Sequence, residues 1–199
     1  MTDKLARVKL ARAAAALNPH SGLPALVLMT DDERLADPVA AARALPRGSM
    51  VVVRARQGSH RAKLASELRA VTRRRGTRLL IANDAELAAR IGADGLHLSE
   101  ANARQAAHWR ARHPHWIITV TAHSLAACHV PYADALFVAP VFATRSHPGG
   151  RHLGAMQMRI IARQVSRPVY ALGGIDAVSA MQLAGAKLAG FAAVGALAI

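Results

Sequence analysis

Four stretches decide the fold: residues 118–124 (ITVTAHS), 135–146 (ALFVAPVFATRS), 169–175 (VYALGGI) and 190–196 (GFAAVGA). Each begins as a short apolar run and ends in a polar or glycine-rich tip. Runs of four to six residues suit strands and are too short for helices. A helical pattern follows each run, and strands alternating with helices predict βα units on a parallel sheet. A (β/α)8 barrel builds its site from groups at such strand ends. The tips therefore carry the functional information.

Working outward, eight strands are predicted over residues 25–29, 50–54, 78–82, 95–98, 116–121, 135–138, 168–172 and 190–194. Helical patterns lie between them at 38–44, 60–74, 84–91, 101–112, 124–127, 155–164 and 177–184. The connections leave room for the crossover that each parallel pair needs. Gly76, Gly92 and Gly185 stand at helix-to-strand joints, where glycine accepts the left-handed C-cap conformation. An additional helix is expected over residues 3–17, with Thr2 or Asp3 as its N-cap. It forms an N-terminal extension, residues 1–22, of one domain spanning 1–199. The last strand runs almost to Ile199, so this extra helix is the candidate to replace the barrel's final helix. Periodicity alone leaves a doubly wound sheet of six or seven strands open.

Composition narrows the functional classes. With 52% hydrophobic residues the chain can bury a sizeable core. No apolar stretch reaches the roughly 18 residues of a membrane span. The charged, Ala-rich N-terminus lacks the apolar region of a secretory signal. Cys128 is the only cysteine, which rules out an internal disulfide and is compatible with a reducing cytoplasm. The net charge of +14 raises nucleic acid as a partner. Only 4% of residues are aromatic, which leaves little for base stacking and argues against it. The densest basic cluster, Arg73-Arg74-Arg75, falls at a predicted helix end, where cations suit the dipole.

Read in order, the tips resemble the thiamine phosphate synthase/TenI superfamily. The matching segments are LVLMTDD (26–32), VVVRARQ (51–57), LLIANDAELAARIGADGLHLSE (79–100), ITVTAHSLAA (118–127), ADALFVAPVFATRSHPGG (133–150), RPVYALGGI (167–175) and GFAAVGALA (190–198). IGADGLHL, APVFATRS and ALGGI are the most specific. The resemblance implies a (β/α)8 barrel. It also implies small phosphorylated partners: a thiazole phosphate and, for a synthase, a pyrimidine pyrophosphate with Mg²⁺. A homo-oligomer stays open.

Site residues follow from that resemblance, each beside a plainer reading. Arg54 and Arg56 lie two apart, on one side of a strand; they match the family's pyrophosphate-binding basic pair, or form salt bridges at an exposed strand end. Asn83 would touch pyrophosphate and Asp84 would ligate Mg²⁺; Asp84 also suits a helix N-cap. His97 and Glu100 follow the fourth strand. Asn102 stands where synthases carry a second acidic ligand, and Glu100 is the candidate to compensate. Mg²⁺ demands near-ideal octahedral geometry, which makes a shifted carboxylate a poor substitute. Thr121 and His123 end the fifth strand, and His123 matches the proton-moving histidine of TenI-type tautomerases. A lone histidine is otherwise more often structural. Thr144 and Ser146 match paired hydroxyls that hold pyrophosphate, or are ordinary turn residues. His147 replaces a synthase lysine and is mostly neutral at pH 7. Val52 replaces a glutamine that faces the pyrimidine. Gly173, Gly174 and Gly195 would bring backbone N–H groups to a phosphate, or merely form tight turns.

The leading expectation is a thiamine phosphate synthase-like transferase. In it the thiazole nitrogen attacks the pyrimidine methylene, and Arg54, Arg56 and their neighbours stabilise the departing pyrophosphate. The alternatives are a TenI-like tautomerase with His123 as acid and base and no metal, and an inactive barrel that binds a thiazole or thiamine phosphate.

Overall fold

The computed structural model describes residues 2–17, 21–54, 58–144 and 149–198. Eight strands close into an all-parallel barrel in chain order. They are β1 Leu26–Met29, β2 Met50–Val53, β3 Arg78–Ala82, β4 Gly95–Leu98, β5 Ile117–Ala122, β6 Ala135–Val138, β7 Val169–Leu172 and β8 Gly190–Ala193. β8 pairs with β1, Leu26 opposite Phe191, and closes the ring. A doubly wound sheet is thereby excluded. Most strands are buried on both faces, which is why they read as unbroken apolar runs.

Side-chain alternation splits the core in two. Val27, Met29, Met50, Val52, Leu80, Ala82, Ala135, Phe137, Tyr170, Ala189 and Ala192 fill the barrel interior. Their neighbours Leu28, Val51, Val53, Leu79, Ile81 and Val138 point outward beneath the helices. In the interior Phe137 stacks on Tyr170, ring centroids 4.7 Å apart, and His97 meets Phe137 edge-on at 4.9 Å.

The helices are α1 Thr2–Ala15, α2 Pro38–Ala44, α3 Gly58–Arg75, α4 Ala85–Arg90, α5 Ala106–Arg112 and α6 Gly154–Gln164. Gly76, Gly92 and Gly185 all take the left-handed conformation predicted for the joints. Three expected helices shrink. The pattern at 101–112 divides into a 3-10 segment, Glu100–Gln105, and α5. Those at 124–127 and 177–184 are the 3-10 turns Ala126–Cys128 and Ser179–Leu183. Such short segments form too few hydrogen bonds to offset the cost of nucleating an α-helix. The N-terminal helix packs on β1, β8 and the 3-10 turn Gly195–Leu197. It buries Leu10 and Ala14 there, and Arg7 Nη1 donates to the Ala198 carbonyl at 3.0 Å. It thus packs over the seam where β8 meets β1.

Candidate active site

The C-terminal ends of the strands open into a cleft of about 960 Å³. Its geometry starts at β1. Thr30 and Asp31 follow that strand, both buried. Asp31 Oδ1 accepts from the Arg34 amide and from Arg34 Nε, each at 3.1 Å. Asp31 Oδ2 accepts from Arg54 Nη2 at 2.6 Å, and Thr30 Oγ1 accepts from the Arg54 amide at 2.8 Å. One carboxylate therefore fixes two guanidiniums at the same rim. Arg34's hydrogen bonds, with Arg54 as a smaller contribution, hold the Asp31 carboxyl well below the usual carboxylate range despite its burial. Arg54 continues the inward parity of Met50 and Val52, which explains why its side chain reaches the cleft. Val52 itself lies in the apolar interior and is not part of the cleft lining.

His97, 3% exposed, sits at the inner end of the cleft. Its Nδ1 is 2.8 Å from Thr119 Oγ1 and its Nε2 2.9 Å from Thr121 Oγ1. Burial, and secondarily the charge of Arg54, pushes its pKa down to about 3. The ring is thus neutral at physiological pH, exchanging hydrogen bonds with two hydroxyls. Thr121, singled out at the end of the fifth strand, is the outer of those hydroxyls and lines the cleft.

His123 also lines the cleft. Its Nδ1 lies 2.7 Å from the Ala139 carbonyl. A carbonyl only accepts, so Nδ1 donates this hydrogen bond and Nε2 is the ring nitrogen left for the cleft. The His123 amide donates to Glu100 Oε2 at 2.7 Å. Glu100 is thereby tied to the β5 tip.

Asn83 ends β3 with φ +53°, a left-handed conformation that asparagine tolerates. Its Oδ1 accepts from the Ser99 amide at 2.8 Å and from Asn102 Nδ2 at 3.1 Å. The carbonyl end of Asn83 is committed to bracing the β4 loop, which leaves Nδ2 as the donor it can offer to the cleft. Asp84 caps α4, its Oδ1 accepting from the Leu87 amide at 2.9 Å, and does not line the cleft. By the resemblance, Asp84 and Asn102 stand at the two Mg²⁺-ligand positions. One carboxylate is turned into a helix cap, and the other position offers an amide. Among the described residues no three histidine, cysteine, aspartate or glutamate side chains converge as metal ligands.

On the opposite rim, Gly173 (φ +91°) and Gly174 (φ +65°) press on the β6 tip. A Cβ on Gly173 would stand 2.8 Å from Pro140 Cα, and one on Gly174 2.5 Å from the Ala143 carbonyl oxygen. The Phe142 amide donates to the Gly173 carbonyl at 3.0 Å. This close approach sets the residues leading to Thr144, which lines the cleft. Gly195 lines it too, with no atom within 4 Å of where a Cβ would be, so open space rather than sterics surrounds it. Arg56, Ser146 and His147 lie outside the described residues. The cleft therefore gathers Arg54, Asn83, Glu100, Thr121, His123, Thr144, Gly173, Gly174 and Gly195. Sequence reasoning missed Asp31 and Arg34. The available signal was the polar Thr30-Asp31 pair at the end of an apolar strand, the same pattern that marked the other tips.

Residues 26–197 match the family model described as thiamine monophosphate synthase (TMP-TENI). The chain belongs to this family. Among curated relatives, this thiamine monophosphate synthase family member is 36% identical over 116 residues to "Putative thiamine-phosphate synthase 2" of Aquifex aeolicus, covering 57% of this chain and 62% of the relative. It is 33% identical over 137 residues to "Thiamine-phosphate synthase" of Chloroflexus aurantiacus, covering 67% and 63%. The chain thus spans somewhat under two thirds of the length of these relatives. The fold matches a thiamine phosphate pyrophosphorylase from Pyrococcus furiosus with TM-score 0.72 and 24% identity, covering 89% of this chain and 88% of that one.

Proposed function

We propose that the cleft joins a pyrimidine diphosphate to a thiazole phosphate with release of diphosphate. One observation carries this reading: two anion stations share one cleft. The first is the guanidinium pair Arg34 and Arg54, aligned by Asp31. The second is the backbone around Gly173, Gly174 and Gly195, of the kind that barrels use for phosphate. A single monophosphate ligand has no use for both. The names of the curated relatives agree with this reading and do not favour the tautomerase alternative.

The chemistry needs little from the protein beyond orientation and charge. The thiazole nitrogen donates its lone pair to the pyrimidine methylene carbon. The bond from that carbon to the diphosphate oxygen breaks, and diphosphate leaves with the electron pair. The product is a thiazolium cation, so no proton has to be removed. Negative charge accumulates on the departing oxygen, and a preorganised guanidinium there lowers the barrier. Arg54 supplies it, and Arg34 shares the anchor. Neutral His97 keeps the inner cleft free of a competing cation. His123 Nε2 and Asn83 Nδ2 are left to position the heterocycles. Among the described residues no helix is long and apolar enough to cross a membrane, and this reading assigns the protein to the cytoplasm.

Calorimetric titration with the pyrimidine diphosphate tests the first station. Arg54→Ala should weaken binding by about 100-fold, the scale of one charge-assisted contact. Thiazole phosphate binding should change by less than about threefold. Equal loss of both ligands, or of neither, would contradict the assignment.

A further inference from the structure

The barrel end opposite the cleft holds a second pocket of about 630 Å³. The chain segments entering β1, β2, β3 and β4 form it, together with side chains from α3. Three guanidiniums meet there, those of Arg69, Arg73 and Arg78, against the single carboxylate of Asp94. Asp94 is already spent: Oδ2 accepts from Arg69 Nη1 and from the Leu79 amide, both at 2.8 Å, and Oδ1 accepts from Arg78 Nη1 at 3.2 Å. Two positive charges remain without a counter-charge. Among the described residues the Arg73 side chain has no hydrogen-bond or ion-pair partner. Arg69 Nε and Thr77 Oγ1, both shut off from solvent, have no partner either. Thr77 lines the pocket and is 5% exposed.

A buried polar atom without a partner costs roughly 1–3 kcal/mol, so orphaned groups beside unbalanced charge call for an explanation. Arg73 and Arg78 are exposed and open to an occupant, and one that balances them carries more than one negative charge and accepts several hydrogen bonds. Phosphoryl oxygens do both, and the planar guanidinium fork matches their spacing. The volume falls in the range of small-ligand pockets. None of the lining residues is aromatic, so a nucleobase finds nothing to stack on, which favours a small phosphorylated molecule over a nucleic acid strand.

We propose that this mouth of the barrel is a second anion site, separate from the cleft, that takes the phosphate or diphosphate group of a small molecule. Arg73 and Arg78 contact the anion, and Asp94 holds Arg69 in position behind them. The proposal does not depend on the reaction assigned to the cleft.

Amide NMR shifts of the full chain, followed while inorganic pyrophosphate is added at low salt, test it. Saturable shifts are expected at Gly48, Gly76, Thr77 and Leu79 as well as at the cleft. The Arg54→Ala variant should keep them. An Arg73→Ala/Arg78→Ala variant should weaken them at least about tenfold while leaving the cleft shifts in place. Arg73 has no partner to lose and the Arg78 side chain is 60% exposed, so this variant should fold; an unchanged melting temperature verifies that. Shifts confined to the cleft amides, or shifts at Thr77 and Leu79 that survive the double substitution, would overturn the proposal. So would a single-stranded oligonucleotide that shifts these amides where pyrophosphate does not.

Discussion

Asp31 sets how the cleft presents positive charge. Alone, two guanidiniums at one rim would repel and swing outward; the shared carboxylate holds both at the β1–β2 edge. His97 is the complementary residue, kept neutral by burial at the end of a row of aromatic side chains. Its lowered pKa has a stability consequence with a definite sign. Below about pH 6.5 the unfolded chain binds a proton at this histidine that the folded chain refuses until about pH 3. The stability associated with neutral His97 is therefore present above pH 6.5 and is lost as pH falls toward 3, at up to about 1.4 kcal/mol per pH unit. Urea unfolding from pH 7 to 4 should show a shallower acid loss for His97→Gln than for the parent chain. Parallel curves would mean that His97 titrates normally. Asp31 adds its own acid loss as pH falls through the ordinary aspartate value of 3.8, since its folded pKa is depressed.

At the scale of elements, strands were legible because both of their faces are buried and they read as short apolar runs. Seven of the eight fall within the predicted ranges, and β5 runs one residue past its own, to Ala122. Helices were less so: the connections after β5 and β7 carry apolar residues at helical spacing but close into 3-10 turns. The tips declared themselves as polar or glycine residues after an apolar run, and the resemblance supplied their order. What neither could give was the direction of each side chain. Asp84 shows this: an aspartate at the start of a helix suits a metal ligand and a cap, and the structure shows the cap, with the Leu87 amide donating to Oδ1. Asp84→Ala should cost about 1 kcal/mol of stability in denaturant titrations, and Asp84→Asn close to nothing, because asparagine caps as well. Loss of diphosphate binding in Asp84→Asn at unchanged stability would show that the carboxylate serves the ligand. The Gly173-Gly174 turn was readable only as a flexible pair. Its reason is the pressure of the β6 tip, which a distant segment imposes.

Taken whole, the molecule is a closed barrel with positive charge at both ends and an N-terminal helix across its seam. Leu10 is fully buried where α1 meets β1 and β8. Leu10→Ala should therefore cost about 2–5 kcal/mol in thermal or chemical unfolding. A cost below 1 kcal/mol would mean that α1 is not part of the closed structure. The net charge of +14 gave no address in the sequence; the fold divides part of it between the Arg34–Arg54 rim and the Arg69–Arg73–Arg78 mouth.

The most direct test of the central claim is turnover. The full chain, supplied with the pyrimidine diphosphate and the thiazole phosphate, should form thiamine phosphate and release one diphosphate per product. Arg54→Ala should reduce kcat/KM by about 100-fold or more. Diphosphate release that needs no thiazole phosphate, or no product from the parent chain while both substrates bind, would contradict the account.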